Sequence, residues 1–75
     1  MQMKHIGVIG GGQLALMMGT AAQKLGVKLI VQTPNADDPA VSIASDAIFA
    51  AVDDATATAE LAKKCDVITF ENEFI

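Results

Sequence analysis

Three consecutive glycines, residues 10–12, stand between a short apolar run and a helical pattern. The run, residues 6–9, is mostly β-branched, which is typical of a strand buried on both faces. Glycine lets the backbone turn tightly and approach a ligand closely, and the amino end of the following helix offers N–H groups and partial positive charge. A strand, a glycine turn and a helix in this order predict the first unit of a parallel α/β sheet.

The rest of the chain alternates strands with helices. Five apolar residues at helical spacing predict the buried stripe of the first helix: Leu14, Met17, Met18, Ala21 and Leu25. Gly26 is predicted to end this helix as its C′ residue. Further strands are predicted at residues 28–32, 47–51 and 66–70, a short helical turn at 39–44 and a second helix at 55–64.

Aspartates mark the starts of both later helical segments. Asp38 is predicted as the N-cap of the turn that Pro39 opens, and the aspartates at residues 53–54 supply the N-cap of the second helix. Within that helix, Glu60 and Lys64 are predicted to pair at i, i+4 spacing.

The predicted fold is a Rossmann-like parallel α/β sheet with right-handed crossovers and strand order 3-2-1-4. This order returns the fourth strand to the side of the first, so their carboxyl ends meet at a topological switch point. Glu71 and Glu73 follow the fourth strand, and residues two apart in an extended chain point to the same side. Both carboxylates are therefore predicted to share one crevice with the glycine turn, where they suit ribose hydroxyls or an amine. Two carboxylates alone do not predict a metal site.

The glycine turn also matches the G-x-G-x-x-A dinucleotide pattern at Gly10, Gly12 and Ala15. A dinucleotide site normally has an acid at the end of the second strand, where this chain reads Val31-Gln32-Thr33, and no arginine is present for an NADP phosphate. A phosphate-binding P-loop fails as well, because Gln13 stands where its lysine is required. An NAD(P)-binding domain of an oxidoreductase is kept as the less favoured alternative.

Length and charge exclude other classes. A chain of 75 residues supports one modest core, and nine acidic side chains against five lysines argue against nucleic acid as a partner. No apolar run approaches the roughly 20 residues of a membrane span, so a cytoplasmic protein without membrane contact is predicted. The lone Cys65 is predicted to be a structural thiol.

A non-catalytic interaction module is a further alternative, in which the edge of the fourth strand recruits a partner. The apolar end of the chain looks cut rather than finished, and surface near Val67, Ile68 and Phe74 is expected to lie open. Self-association through this edge is therefore predicted.

Two stretches, residues 6–14 and 65–73, together resemble the 5-(carboxyamino)imidazole ribonucleotide synthetases of the ATP-grasp superfamily. The first contains the G-G-G-Q-L turn of that family, and the second its C-D-V-x-T-x-E-x-E ending. The resemblance implies a single amino-terminal pre-ATP-grasp domain fragment, residues 1–75, with the ATP-grasp and carboxy-terminal domains absent. It also implies a homodimer as the complete enzyme.

The resemblance further implies a reaction of de novo purine biosynthesis. In this family ATP activates bicarbonate as carboxyphosphate, and the carboxyl group passes to the exocyclic amine of 5-aminoimidazole ribonucleotide. The ATP and Mg²⁺ sites would lie in later domains, so this fragment is expected to hold no catalytic residue, no metal ligand and no activity of its own.

The same resemblance implies that this piece binds the acceptor nucleotide. The implied substrate-binding residues are Gly11, Gly12, Gln13, Leu14, Glu71 and Glu73. Gly12, Gln13 and Leu14 would touch the ribose-phosphate side of the substrate. Glu71 would accept hydrogen bonds from a hydroxyl or amine, and Glu73 is the second candidate for that role.

Overall fold

The computed structural model describes residues 4–70 of the chain. Four strands alternate with two helices and one 3-10 turn. The strands are β1 (His5–Ile9), β2 (Lys28–Thr33), β3 (Asp46–Phe49) and β4 (Val67–Phe70). The helices are α1 (Gln13–Lys24) and α2 (Ala55–Lys64), and the 3-10 turn is Pro39–Ser42. The predicted sequence of elements is confirmed.

The four strands form one parallel sheet in the order β3-β2-β1-β4. Ile9 at the end of β1 lies in register with Gln32 on one side and with Phe70 on the other. The predicted order 3-2-1-4 is therefore confirmed, and so is the adjacency of the carboxyl ends of β1 and β4. Parallel strands require the crossovers that α1 and α2 provide.

Helices cover both faces of the sheet, and each face has its own core. On the α1 face, Val8 and Val31 are buried against Ala15 of the helix and Ala40 of the 3-10 turn. On the α2 face, Ile9 and Ile30 are buried against Leu61. Alternate residues of β1 and β2 thus point to opposite cores, which explains why these strands are almost continuously apolar.

The prediction that the apolar stripe of α1 is buried is wrong for four of its five residues. Leu14, Met17, Ala21 and Leu25 are exposed, with exposures of 60% for Met17 and 78% for Leu25. Met18 packs against the core as predicted. The buried face consists of small residues at helical spacing: Ala15, Gly19 and Ala22.

Close approach of the helix to its neighbours is the reason for this difference. A Cβ atom added at Gly19 would collide with the side chain of Ile43 and lie 2.8 Å from Cδ2 of Leu29. Long side chains do not fit at such a distance, so alanine and glycine take the buried positions.

The helix boundaries confirm most of the predicted signals. The carboxylate of Asp54 accepts a hydrogen bond from the N–H of Ala57 at 3.0 Å and caps α2. Gly26 follows α1 with a φ of 76°, in the left-handed region that favours glycine. Asp38 precedes the 3-10 turn, which ends at Ser42 instead of Ala44, but its side chain makes no capping bond.

The predicted pair of Glu60 with Lys64 is wrong. Glu60 pairs instead with Lys63 at 3.7 Å, and Lys64 reaches across to Asp46 at the start of β3, at 3.4 Å. The N–H of Ala47 and the ammonium of Lys64 both lower the pKa of Asp46. Lys64 thus joins α2 to the amino end of the sheet, whereas the predicted pair with Glu60 would have linked two residues of the same helix.

β3 ends at Phe49, earlier than the strand predicted at residues 47–51. Ala50 still donates its N–H to the carbonyl of Thr33 at 3.1 Å. The carbonyl of Ala51, however, accepts a hydrogen bond from the side chain of Gln32 at 2.9 Å. The same carbonyl accepts from the N–H of Asp54 at 3.0 Å, so Ala51 belongs to the turn before α2 and not to the sheet.

Cys65 has the predicted packing role. Its Sγ atom would lie 2.8 Å from a Cβ added at Gly7, and it packs with Leu61 on the α2 face. Burial and the neighbouring charge of Asp66 raise the pKa of the thiol. Within residues 4–70, no helix is long and apolar enough to cross a membrane.

Candidate functional site

The glycine turn joins the carboxyl end of β1 to the amino end of α1. Gly10 has a φ of 115°, which favours glycine, and its N–H donates to the carbonyl of Gln32 at 2.8 Å. Gly12 is the N-cap residue of α1, and its carbonyl accepts from the N–H of Leu16 at 3.0 Å. Gln13 and Leu14, in the first turn of the helix, are exposed. The turn therefore presents Gln13 and Leu14 at the carboxyl end of the sheet.

Gly11 is held by the loop that follows β2. A Cβ atom at Gly11 would lie 2.8 Å from Oδ2 of Asp38 and 3.2 Å from Cγ2 of Thr33. Its carbonyl accepts a hydrogen bond from the N–H of Ala40 at 3.0 Å. Gly11 is thus needed for contact inside the protein, in addition to any contact with substrate. No local sequence pattern links Gly11 to Asp38, so this contact is not predictable from the sequence.

The end of β4 lies beside the turn. Phe70, the last described residue, is in register with Ile9, which immediately precedes Gly10. The structure brings together Gly11, Gly12, Gln13 and Leu14 at the switch point that the sequence predicts. Glu71 and Glu73 lie outside the described residues, so their predicted position stays a prediction.

Gln32 occupies the place where a dinucleotide site has its ribose-binding acid. Its side chain is 0% exposed and is fully engaged within the protein. The amide nitrogen donates to the carbonyls of Ala51 at 2.9 Å and Asp54 at 3.4 Å, and the amide oxygen accepts from the hydroxyl of Thr58 at 3.0 Å. A side chain held in this way is not available to a ribose, which weakens the oxidoreductase alternative.

Charge is divided between the two ends of the sheet. All five lysines lie at the amino end, where strands begin and helices end: Lys4, Lys24, Lys28, Lys63 and Lys64. The loops at the carboxyl end carry four aspartates: Asp37, Asp38, Asp53 and Asp54. In the described part of the chain, the rim beside the glycine turn therefore has carboxylates and no lysine.

This rim suits particular chemical groups. Carboxylate and amide oxygens accept hydrogen bonds from hydroxyls and amines, and the backbone at the start of a helix favours an anion. A phosphate bound here would be neutralised by cations from outside residues 4–70. No group of three or more histidine, cysteine, aspartate or glutamate residues in that range has the arrangement of a metal site.

Comparison with known proteins identifies relatives along nearly the whole chain. Residues 3–75 match the family model described as the ribonucleotide synthetase preATP-grasp domain. The N5-carboxyaminoimidazole ribonucleotide synthase of Synechococcus elongatus is 67% identical over 72 residues, which are 96% of this chain and 18% of that protein. The synthase of Synechocystis is 57% identical over 93% of this chain and 18% of its own length. The chain thus spans less than a fifth of these relatives.

Solved structures agree with the fold. An N5-carboxyaminoimidazole synthetase from Staphylococcus aureus, complexed with ADP, superposes on the whole chain with a TM-score of 0.91 at 46% identity. The chain covers 20% of that structure. A synthetase from Thermotoga maritima gives a TM-score of 0.90 at 42% identity over 97% of this chain. The family model, the sequence relatives and the parallel sheet with its glycine turn agree, and the chain belongs to the ribonucleotide synthetase preATP-grasp domain family.

Proposed function

We propose that this chain is the acceptor-binding part of an ATP- and bicarbonate-dependent carbon–nitrogen ligase of purine biosynthesis. The acceptor is 5-aminoimidazole ribonucleotide, whose exocyclic amine takes up the carboxyl group. The observation that carries the proposal is the meeting of the glycine turn with the end of β4 at the switch point. The identity of 67% to an N5-carboxyaminoimidazole ribonucleotide synthase supports the reaction class.

ATP and Mg²⁺ are assigned to parts of the enzyme outside this chain. Gln13 stands where a P-loop would need its lysine, which argues against a P-loop nucleotide site in the glycine turn. This chain's own contribution is to bind the acceptor and to orient its amine. The chain alone is expected to have no ligase activity.

Each site residue has a distinct part in this proposal. Gly12 lets the substrate approach the backbone, and Leu14 provides an apolar contact at the start of α1. Gly11 is buried against Asp38, and it keeps the turn close to the loop that follows β2. The amide of Gln13 both donates and accepts hydrogen bonds, so it suits a ribose hydroxyl beside a phosphate. Glu71 accepts from a hydroxyl or from the amine, and Glu73 is the second candidate. A homodimer and a cytoplasmic location are proposed together with this function.

Substitution of the two polar site residues tests the proposal. In the complete enzyme, Gln13→Ala removes a hydrogen-bonding amide, and Glu71→Gln removes the negative charge and replaces one accepting oxygen by an N–H₂ donor. Each is expected to weaken binding of aminoimidazole ribonucleotide by about 5- to 10-fold, the effect of losing one hydrogen bond. The affinity for ATP is expected to stay nearly unchanged. Isothermal titration calorimetry with each ligand separately gives both dissociation constants.

Gln23→Ala is the matched control for this experiment. Gln23 lies near the other end of α1, is exposed, and makes only a long contact of 3.4 Å with the carbonyl of Ile43. Its replacement should leave both dissociation constants unchanged. Equal losses for the two ligands, or no loss for the acceptor, would refute the proposed role of this site.

A further inference from the structure

Asp38, in the loop that follows β2, contacts the glycine turn at Gly11. Its Oδ2 and Cβ atoms lie 2.8 and 2.9 Å from the position of a Cβ on Gly11, so the carboxyl group packs directly on that glycine. Although Asp38 precedes the 3-10 turn as its N-cap residue, its side chain makes no capping bond there. Its contacts therefore have a different purpose from the capping role that the sequence predicts.

The other contacts of Asp38 fasten it to the sheet. The hydroxyl of Thr33, at the end of β2, donates a hydrogen bond to Oδ2 of Asp38, and the same hydroxyl accepts from the N–H of Asn35 at 3.3 Å. Thr33 is buried. The carboxylate is thus held by a group that is itself fixed in the core, which restricts its rotation.

A second contact joins the same loop to the turn. The N–H of Ala40 donates to the carbonyl of Gly11 at 3.0 Å, and Ala40 is buried in the core of the α1 face. Gly11 is therefore held between a backbone hydrogen bond and the carboxyl group of Asp38. Both contacts determine the direction in which the chain enters α1 at Gln13.

Resting on the proposed function, we propose that Asp38 is a positioning residue for the acceptor nucleotide. It acts through Gly11: the bond from Thr33 holds the carboxyl group, the carboxyl group holds Gly11, and Gly11 sets the position of Gln13. The hydrogen-bond acceptor and the shape of the side chain carry this role, and the negative charge does not. Small displacements of a binding group weaken binding markedly, so the loss of this contact affects the site beyond its effect on folding.

Four variants of the complete enzyme test this proposal. Asp38→Ala removes the contact, and Thr33→Val removes the hydroxyl that holds it while keeping the shape of the side chain. Asp38→Asn keeps an oxygen that accepts from Thr33 but removes the charge. Asp37→Ala is the control, since Asp37 is the exposed neighbouring acid. Steady-state kinetics give KM for the acceptor, KM for ATP and kcat, and thermal unfolding monitors stability.

The expected pattern separates positioning from folding. Asp38→Ala and Thr33→Val raise KM for the acceptor about 5- to 10-fold, as for the loss of one hydrogen bond. In both variants, KM for ATP stays within about two-fold of that of the unsubstituted enzyme. In Asp38→Asn and Asp37→Ala, all three constants (KM for the acceptor, KM for ATP and kcat) stay within about two-fold. The proposal is overturned if Asp38→Ala raises both KM values alike, if it matches Asp37→Ala, or if Asp38→Asn fails as Asp38→Ala does.

The site and the positioning role fail in distinguishable ways. If Gln13→Ala weakens acceptor binding and Asp38→Ala does not, the site stands and only the role of Asp38 is wrong. If Gln13→Ala also leaves acceptor binding unchanged, the proposed function itself is wrong. If Asp38→Ala does not fold, the comparison of Thr33→Val with Asp38→Asn gives the same answer.

Discussion

Two adjacent polar residues at the end of β2 organise the carboxyl end of the sheet. Gln32 and Thr33 are both buried, and they bond to different loops. Gln32 holds the segment that leads into α2 through Ala51 and Thr58, and Thr33 holds the loop after β2 through Asp38. Buried polar groups of this kind specify one arrangement of loops, because an unpaired partner is costly.

Replacement of Gln32 is expected to destabilise the chain. In Gln32→Leu the hydrogen bonds of the amide to the hydroxyl of Thr58 and to the carbonyl of Ala51 are lost, and each of these groups keeps only its bond to the backbone of Asp54. The free energy of unfolding should therefore fall by about 1–3 kcal/mol. Urea unfolding followed by circular dichroism measures this change. Gln23→Leu, at an exposed position, is the control and should change the free energy of unfolding by less than about 0.5 kcal/mol. Equal effects of the two substitutions would contradict the buried role of Gln32.

At the scale of elements, α1 shows that the largest apolar side chains of a helix are not always the buried ones. The largest apolar side chains of the helix form a stripe at the correct period, yet the helix packs through an adjacent face made of Ala15, Gly19 and Ala22. The small face lets the helix approach Leu29 and Ile43 closely. Two of the three capping signals were confirmed: Asp54 caps α2 and Gly26 follows α1, because both act through their immediate neighbours. The third, Asp38, makes no capping bond because its carboxyl group is bonded to Thr33.

Two substitutions in α1 test which face is buried. Ala22→Leu should lower the free energy of unfolding by about 1–3 kcal/mol, because the larger side chain overpacks the interface with the sheet. Met17→Ala should change it by less than about 0.5 kcal/mol, because Met17 is exposed. Urea unfolding of both variants gives the two values. A larger loss for Met17→Ala than for Ala22→Leu would mean that the stripe predicted from the sequence is the buried one.

At the scale of the whole molecule, the edge formed by β4 is the most exposed apolar part of the sheet. Val67 and Phe70 have exposures of 57% and 63%, and β4 pairs only with β1 among the described strands. An edge strand with apolar side chains is a template for pairing with another chain. The predicted interaction through this edge and a homodimer of the complete enzyme both stay predictions.

The 75-residue chain is expected to self-associate through this edge. Its sedimentation coefficient should rise with concentration, and Val67→Lys should reduce that rise by placing a charge on the edge strand. Val52→Lys is the matched control, because Val52 is exposed to a similar extent, 51%, but lies in the loop before α2. Sedimentation velocity over a concentration series makes the comparison. A concentration-independent monomer, or an equal effect of the two lysines, would contradict the prediction.

The sequence by itself determined the order of the elements, the parallel strand order, the ends of both helices and the family. Strand and helix periods, glycine at positive φ and an N-cap aspartate all act within a few residues, so they are readable along the chain. The switch point followed from the strand order, which brought Gly11, Gly12, Gln13 and Leu14 to the end of β4. The positions of Glu71 and Glu73 are still predictions.

Only the tertiary structure decided which face of α1 is buried, which lysine pairs with Glu60, and what holds Gly11. Each of these depends on the distance between elements that are far apart in the chain. Gly19 is small because Ile43 lies against it, and Asp38 packs on Gly11 because β2 adjoins β1. Lys64 bonds to Asp46 because the carboxyl end of α2 and the start of β3 lie at the same end of the sheet. Periodicity specifies which residues share a face, but the close packing of side chains from different elements decides which face is inside.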